Sequence, residues 1–210
     1  MTRKAKAFVE GFVAQNYSLI VFSVVVFVVG VVFGSIVVHA LDPDQKKQLF
    51  DELQSFFTAV YHQQTASGAA VMWNRTASNL KVEGLIWILG LSIIGLPLIV
   101  VLLFLKGFAV GFVIGFMVDQ YAWRGILFVL TAIFPQNLLV VPALLTTCVV
   151  GLSFSLTMIK NRFHHHEEPA YQKFLSFSGV VLTMAFVMIL ASGIEGYVST
   201  NLLKWITPLF

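Results

Sequence analysis

Residues 84–159 read GLIWILGLSIIGLPLIVVLLFLKGFAVGFVIGFMVDQYAWRGILFVLTAIFPQNLLVVPALLTTCVVGLSFSLTMI. Only Lys106, Asp119 and Arg124 carry a formal charge in that run. A water-soluble domain needs polar side chains over its surface and cannot hide so long an apolar stretch. A bilayer can, so the chain reads as an integral membrane protein. One span takes roughly 17–25 residues, so the run holds several. It divides awkwardly, and that awkwardness is the main clue to architecture.

Composition agrees. The 210 residues are 58% hydrophobic and 11% charged, whereas globular domains carry about 25% charged residues. That length allows one membrane domain with short loops. The net charge of +3 sits on flanks and loops. It suits an anionic membrane surface, and no basic stripe with interleaved aromatics suggests nucleic acid. Cys148 is the only cysteine, which excludes an internal disulfide and a cysteine zinc framework. In an apolar segment it reads as a buried, inert thiol.

Outward from the run, residues 1–17 form a short cytoplasmic arm and 18–40 the first span. Arg3, Lys4 and Lys6 resemble the basic region of a signal peptide. The apolar part is too long for one, and Val38-His39-Ala40-Leu41 is a poor cleavage site, so an uncleaved anchor is expected. Its valines would suggest a strand in water. In lipid a lone strand leaves its backbone unpaired, so a helix is expected.

Residues 41–84 are expected to be an extracytoplasmic loop. Asp42 is a plausible N-cap with Pro43 at the first helical position. Leu49, Leu53, Phe56, Phe57 and Val60 recur at helical spacing, which predicts an amphipathic helix on the membrane or on the other spans. After a break at Ser67-Gly68, a second short helix carries Met72, Trp73 and Leu80. Residues 85–105 are the expected second span, kinked by Pro97. Within 107–134, neither apolar piece can cross alone, and Asp119–Arg124 interrupts them. A broken or re-entrant third span is expected there. Pro135-Gln136-Asn137 reads as a turn, 138–159 as span four, 160–173 as a cytoplasmic loop and 174–198 as span five. An outer tail, 199–210, carries Trp205 as an interface anchor. The fold class is all-α: a polytopic helical bundle of about five spans. Lys and Arg density places the N-terminus and the 160–173 loop inside, with the 41–84 loop and the C-terminus outside.

Gly107, Gly111 and Gly115 line one helix face, and Gly30 and Gly34 make a shorter version in the first span. Such faces let helices approach closely in lipid. They fit packing within the chain or a subunit interface, and a homodimer through them is one expectation. Lys106, near the inner interface, and Glu195 are the ionisable residues closest to the apolar interior, where such groups are expensive. Asp119 and Arg124 can pair across the break. Gln136 and Asn137 complete the polar positions of interest. His164-His165-His166-Glu167-Glu168 offers metal-ligating types, but consecutive side chains do not converge, so no metal site is expected. No His-Glu-x-x-His, no serine-nucleophile elbow and no glycine-rich phosphate loop is present. Asn74-Arg75-Thr76 matches a glycosylation sequon that is common by chance. Neither enzyme activity nor a cofactor is expected.

Three blocks carry a resemblance: LIWILGLSIIGLPL (85–98), LLFLKGFAVGF (102–112) and FPQNLLVVPA (134–143). Together they resemble the stage II sporulation protein M family of endospore-forming bacteria. The likeness implies a role in engulfment, as the membrane anchor of a complex with stage II sporulation proteins D and P, which cut septal peptidoglycan. It also implies the bacterial cytoplasmic membrane, at the septal and engulfing membrane. Leu49, Leu53, Phe56, Phe57 and Trp73 would then lie on the docking segment. Distant relatives show Pro-His-Gly and a Glu where this chain has Pro135-Gln136-Asn137 and Val141, which argues against ion coupling at that spot. The expected function is a non-enzymatic scaffold in the bilayer, with a permease subunit serving a separate ATPase as the runner-up.

Overall fold

The computed structural model describes the backbone of residues 2–61, 68–164 and 170–206. Side chains are described for 11, 13–55, 73–74, 76–131, 133–135, 137–160 and 174–193. Among the described residues all regular structure is helical. Helix α1 covers Thr2–Val37 and ends in a tight turn at Val38–Ala40. Then come α2 (Pro43–Tyr61), α3 (Gly68–Gly90) and α4 (Gly95–Phe128). A π-helical stretch, Val129–Ile133, leads into α5 (Phe134–His164), and α6 covers Ala170–Ile206. Among the described residues four stretches are long and apolar enough to cross a membrane: Val13–Ala40, Gly95–Thr131, Asn137–Lys160 and Phe174–Gly193. The chain is therefore an all-helical membrane protein.

Paired contacts fix helix directions. Gly107 faces Phe27, Gly111 faces Val31 and Gly115 faces Ser35, so α1 and α4 run parallel. Glu83 meets Thr147 and Gly90 meets Ser155, so α3 and α5 are parallel to each other. Asn79 meets Ser192 and Trp87 meets Ser178, so α3 and α6 are antiparallel. Five helices thus traverse the bundle in alternating directions.

The partition differs from the expected one. The chain does not continue as one span from 85 to 105. It turns at Leu91–Ile94, so the expected second span is split between the end of α3 and the start of α4. Pro97 sits in the first turn of α4, not mid-span. Its missing N–H there would have had no intrahelical partner anyway, so it does not kink the helix. The turn is closed by the Leu91 and Ser92 N–H groups donating three residues back, to Ile88 O and Leu89 O. Ser155 of α5 also donates to Gly90 O (2.8 Å) and Ser92 O (3.1 Å). Those bonds satisfy carbonyls that a helix end leaves open.

Past the turn, α4 runs unbroken through Lys106–Gly107 as far as Ala122, so no span boundary falls there. Ala122 has φ 46° and ψ −119°, inside the Asp119–Arg124 interruption that the sequence marks. Gly125 follows, packed so tightly on the Met117 carbonyl that a Cβ there would overlap it. Phe128 then packs back on Met117, so the chain reverses at this point. Pro135-Gln136-Asn137 is not a turn but the first part of α5. The π-helical widening just before Pro135 accommodates its missing donor. Asn137 Nδ2 donates to Ile133 O (3.0 Å), and Thr131 Oγ1 donates to Leu127 O (2.7 Å).

The core lies around α5. Ile86 of α3, Ile99 and Leu103 of α4, Leu144, Cys148 and Leu152 of α5 and Met188 of α6 form one buried cluster. Val25, Val29, Phe33 and Ile36 of α1 and Leu182, Phe186 and Leu190 of α6 are exposed. Apolar side chains on the outside suit a lipid-facing surface.

Candidate functional site: a glycine seam, a clamp and a polar helix

The five glycines singled out from the sequence meet in one seam. A Cβ at Gly30 or Gly34 would overlap the Phe104 or Phe108 carbonyl of α4. At Gly107 or Gly111 it would overlap the Phe27 or Val31 carbonyl of α1. At Gly115 it would lie 2.8 Å from Ser35 Cα. The seam is thus filled within one chain, by two parallel helices. Beside it, Phe104, Phe108, Phe112 and Phe116 stack along α4, with neighbouring centroids 6.2–6.4 Å apart.

At the Ala122 end, α2 clamps the pair. Lys46 Nζ reaches Asp119 Oδ2 at 3.1 Å, and His39 Nε2 lies 3.9 Å from Asp119 Oδ1. Phe50 stacks on Tyr121 with centroids 6.1 Å apart. Leu53 packs against Met117 and Phe128. So two of the apolar residues expected to dock a partner, Leu49 and Leu53, are half-buried, and Leu53 is turned onto the bundle. Asp44, Lys47, Gln48, Asp51 and Glu52 face outward. Trp73 is exposed at the start of α3, and Arg124 is exposed beyond the turn. The side chains of Phe56, Phe57, Gln136, Glu195 and Trp205, and the His164–Glu168 cluster, lie outside the described residues.

Lys106 is half-buried and stands beside Gly107, which meets Phe27 of α1. That is about 16 Å into α4 from Gly95, at about 1.5 Å per residue.

The feature sequence reasoning missed is the spine of α3. Thr76, Asn79, Glu83, Ile86 and Gly90 are all buried, at alternating three- and four-residue steps. That spacing makes one inward seam, and its first three members are polar. Asn79 Nδ2 lies 3.5 Å from Ser192 Oγ, which donates to Met188 O at 2.9 Å. Glu83 is 1% exposed. Thr147 Oγ1 donates to Glu83 Oε1 at 2.6 Å, whereas Glu83 Oε2 has no hydrogen-bond partner. Thr147 is ten residues past Asn137 and thirteen before Lys160, so the carboxyl sits roughly 15 Å from one end of that apolar stretch. Buried polar groups in membranes are held by partners on neighbouring helices. Here they fasten α3, the least apolar traverse, to α5 and α6. Among the described residues no group of His, Cys, Asp and Glu is suited to a metal ion.

The class defined by this arrangement is a polytopic helical membrane protein, with a glycine-packed helix pair and one polar traverse. The family model described as "SpoIIM: Stage II sporulation protein M" matches residues 23–200, and the chain belongs to that family. Membership supports a sporulation-related membrane protein. No curated protein and no solved structure gives a significant match.

Proposed function

We propose that this protein is a non-enzymatic anchor that recruits and positions septal peptidoglycan-degrading enzymes during engulfment. The observation that carries the reading is the family match over residues 23–200. The partners are stage II sporulation proteins D and P, acting at the septal and engulfing membrane. In this reading the N-terminus is cytoplasmic, and α2 and the C-terminus are extracytoplasmic, on the side where wall enzymes work. The clamp geometry supports it. Phe50 and Leu53 of α2 pack on the bundle, and Lys47, Asp51 and Glu52 of the same helix face outward. A partner would read Lys47, Asp51 and Glu52, not Leu49 and Leu53. The glycine seam is occupied within the chain, so a homodimer would use another face. Affinity capture from sporulating cells tests the proposal. Both hydrolases should co-purify, and charge reversal at Lys47, Asp51 and Glu52 together should lower their yield at least fivefold. Capture of neither hydrolase would refute the scaffold reading.

A further inference from the structure

A lateral groove of about 780 Å³ lies between α1, α5 and α6. It runs from Val13 to Val24 on α1, from Val149 to Pro142 on α5 and from Ser176 to Met184 on α6. Small-molecule sites occupy roughly 300–1,000 Å³, so its size is that of a ligand site. Its wall is apolar apart from Thr146, Ser176 and Thr183. Thr146 Oγ1 donates to Pro142 O and Thr183 Oγ1 to Gly179 O, each at 2.8 Å. A hydroxyl has one proton to give, so neither threonine donates into the groove. Such a wall takes hydrocarbon and disfavours an ion or a polar solute. Space is left for it at Gly179, where an added Cβ would meet nothing within 4 Å.

One end of the groove is marked by two helices. Val13 begins the apolar stretch of α1, and Ser176 stands two residues into that of α6. These helices run the same way, so both residues lie on the N-terminal side of the bundle. From there the α1 wall extends eleven residues to Val24, about 16 Å. One leaflet of a core about 30 Å thick is about 15 Å deep, so that wall alone is long enough for an acyl chain. On the same side the sequence puts Arg3, Lys4 and Lys6 on α1, Lys160 and Arg162 on α5 and Lys173 on α6. Against these six cations stand Glu10 on α1 and Glu167 and Glu168 between α5 and α6. The Leu91–Ile94 turn on that side carries no charge. The basic residues of this side thus all belong to the helices that line the groove.

We propose that the groove binds one anionic phospholipid from the leaflet on the N-terminal side, its acyl chain along α1 and its headgroup among the basic helix ends. Charge complementarity picks this occupant. An apolar helix, from a partner or a second copy, would fill the groove and leave the cations unanswered. Basic recesses between membrane helices take anionic headgroups in this way. Ser176, exposed at the mouth, offers the lipid a hydrogen bond. The site requires the bundle alone and is independent of the anchor reading.

The test reconstitutes the full chain into phosphatidylcholine vesicles. These carry a trace of phosphatidylglycerol with a photoactivatable acyl chain, or of phosphatidylcholine with the same chain. Mass spectrometry maps the labelled residues. The phosphatidylglycerol probe should label residues 142–149 at least fivefold more than its neutral counterpart. Gly179→Leu, which fills the groove, should cut that labelling at least threefold. Gly193→Leu should not, since a Cβ there also meets nothing within 4 Å but the residue is no part of the groove wall. Glutamine at Arg3, Lys4 and Lys6 together, or at Lys160, Arg162 and Lys173 together, should lower the preference at least threefold in one set or both. Equal labelling by the two probes would overturn the proposal. So would labelling indifferent to Gly179→Leu or to both glutamine sets, or a groove closed to both probes because a second copy fills it. Failed hydrolase capture would leave this site standing, and equal labelling would leave the anchor reading standing.

Discussion

Replacing Gly111 by alanine adds one methyl group where Val31 O, C and Cα already stand. These are backbone atoms and cannot rotate away, so α1 and α4 must separate, by roughly 1 Å. A gap of about 0.5–1 Å forfeits a quarter to a half of each dispersion contact. If the seam carries about as many contacts as one buried leucine, about 40–60 at about 0.1–0.2 kcal/mol, the loss is roughly 2–4 kcal/mol. Alanine gains about 0.5–1 kcal/mol over glycine inside a helix. A net destabilisation of roughly 1–3 kcal/mol follows, within the usual range for overpacking. The matched control is Gly179→Ala in α6, where an added Cβ meets nothing within 4 Å. There only the propensity gain remains. Reversible unfolding in mixed micelles, followed by circular dichroism, gives both values. If Gly111→Ala is as stable as Gly179→Ala, the parallel glycine seam is wrong.

Three further outcomes are expected. Ala122→Gly should raise stability by about 1 kcal/mol, because φ 46° is strained for a residue with a Cβ; an unchanged or lower melting temperature would count against that reversal. Thr147→Val should lower stability by about 1–3 kcal/mol by removing the hydroxyl that donates to buried Glu83 Oε1, while Glu83→Gln, which can still accept that bond, should change it much less. Lys46→Ala should cost at most about 1 kcal/mol, since the pair with Asp119 is partly solvated. Leu53→Ala should do more to release α2, read as faster hydrogen exchange over residues 43–55; equal effects would show that packing does not hold the clamp.

What the sequence revealed depended on whether a signal was local. The seam was legible because Gly107, Gly111 and Gly115 repeat every four residues, and small residues at that spacing have one strong reading in lipid. The reversal at Ala122 was legible because Asp119 and Arg124 interrupt an otherwise apolar run. The turn at Leu91–Ile94 was hidden. Its residues are Leu, Ser, Ile and Ile, and the donor that completes it, Ser155, lies more than sixty residues away. Pro97 looked like a kink only because the start of α4 was unseen. Glu83 escaped because it stands one residue before the sparsely charged run. The polarity of Thr76, Asn79 and Glu83 reads as loop to any hydropathy average. Their inward spacing makes sense only once α5 and α6 supply Thr147 and Ser192.

The anchor account is tested most directly by a photo-crosslinker at Glu52 on the charged face of α2, in cells undergoing engulfment. The account predicts crosslinks to stage II sporulation protein D or P, while the same group at Leu182, on the lipid-facing side of α6, gives none. Crosslinks from Leu182 to those hydrolases with none from Glu52 would contradict it.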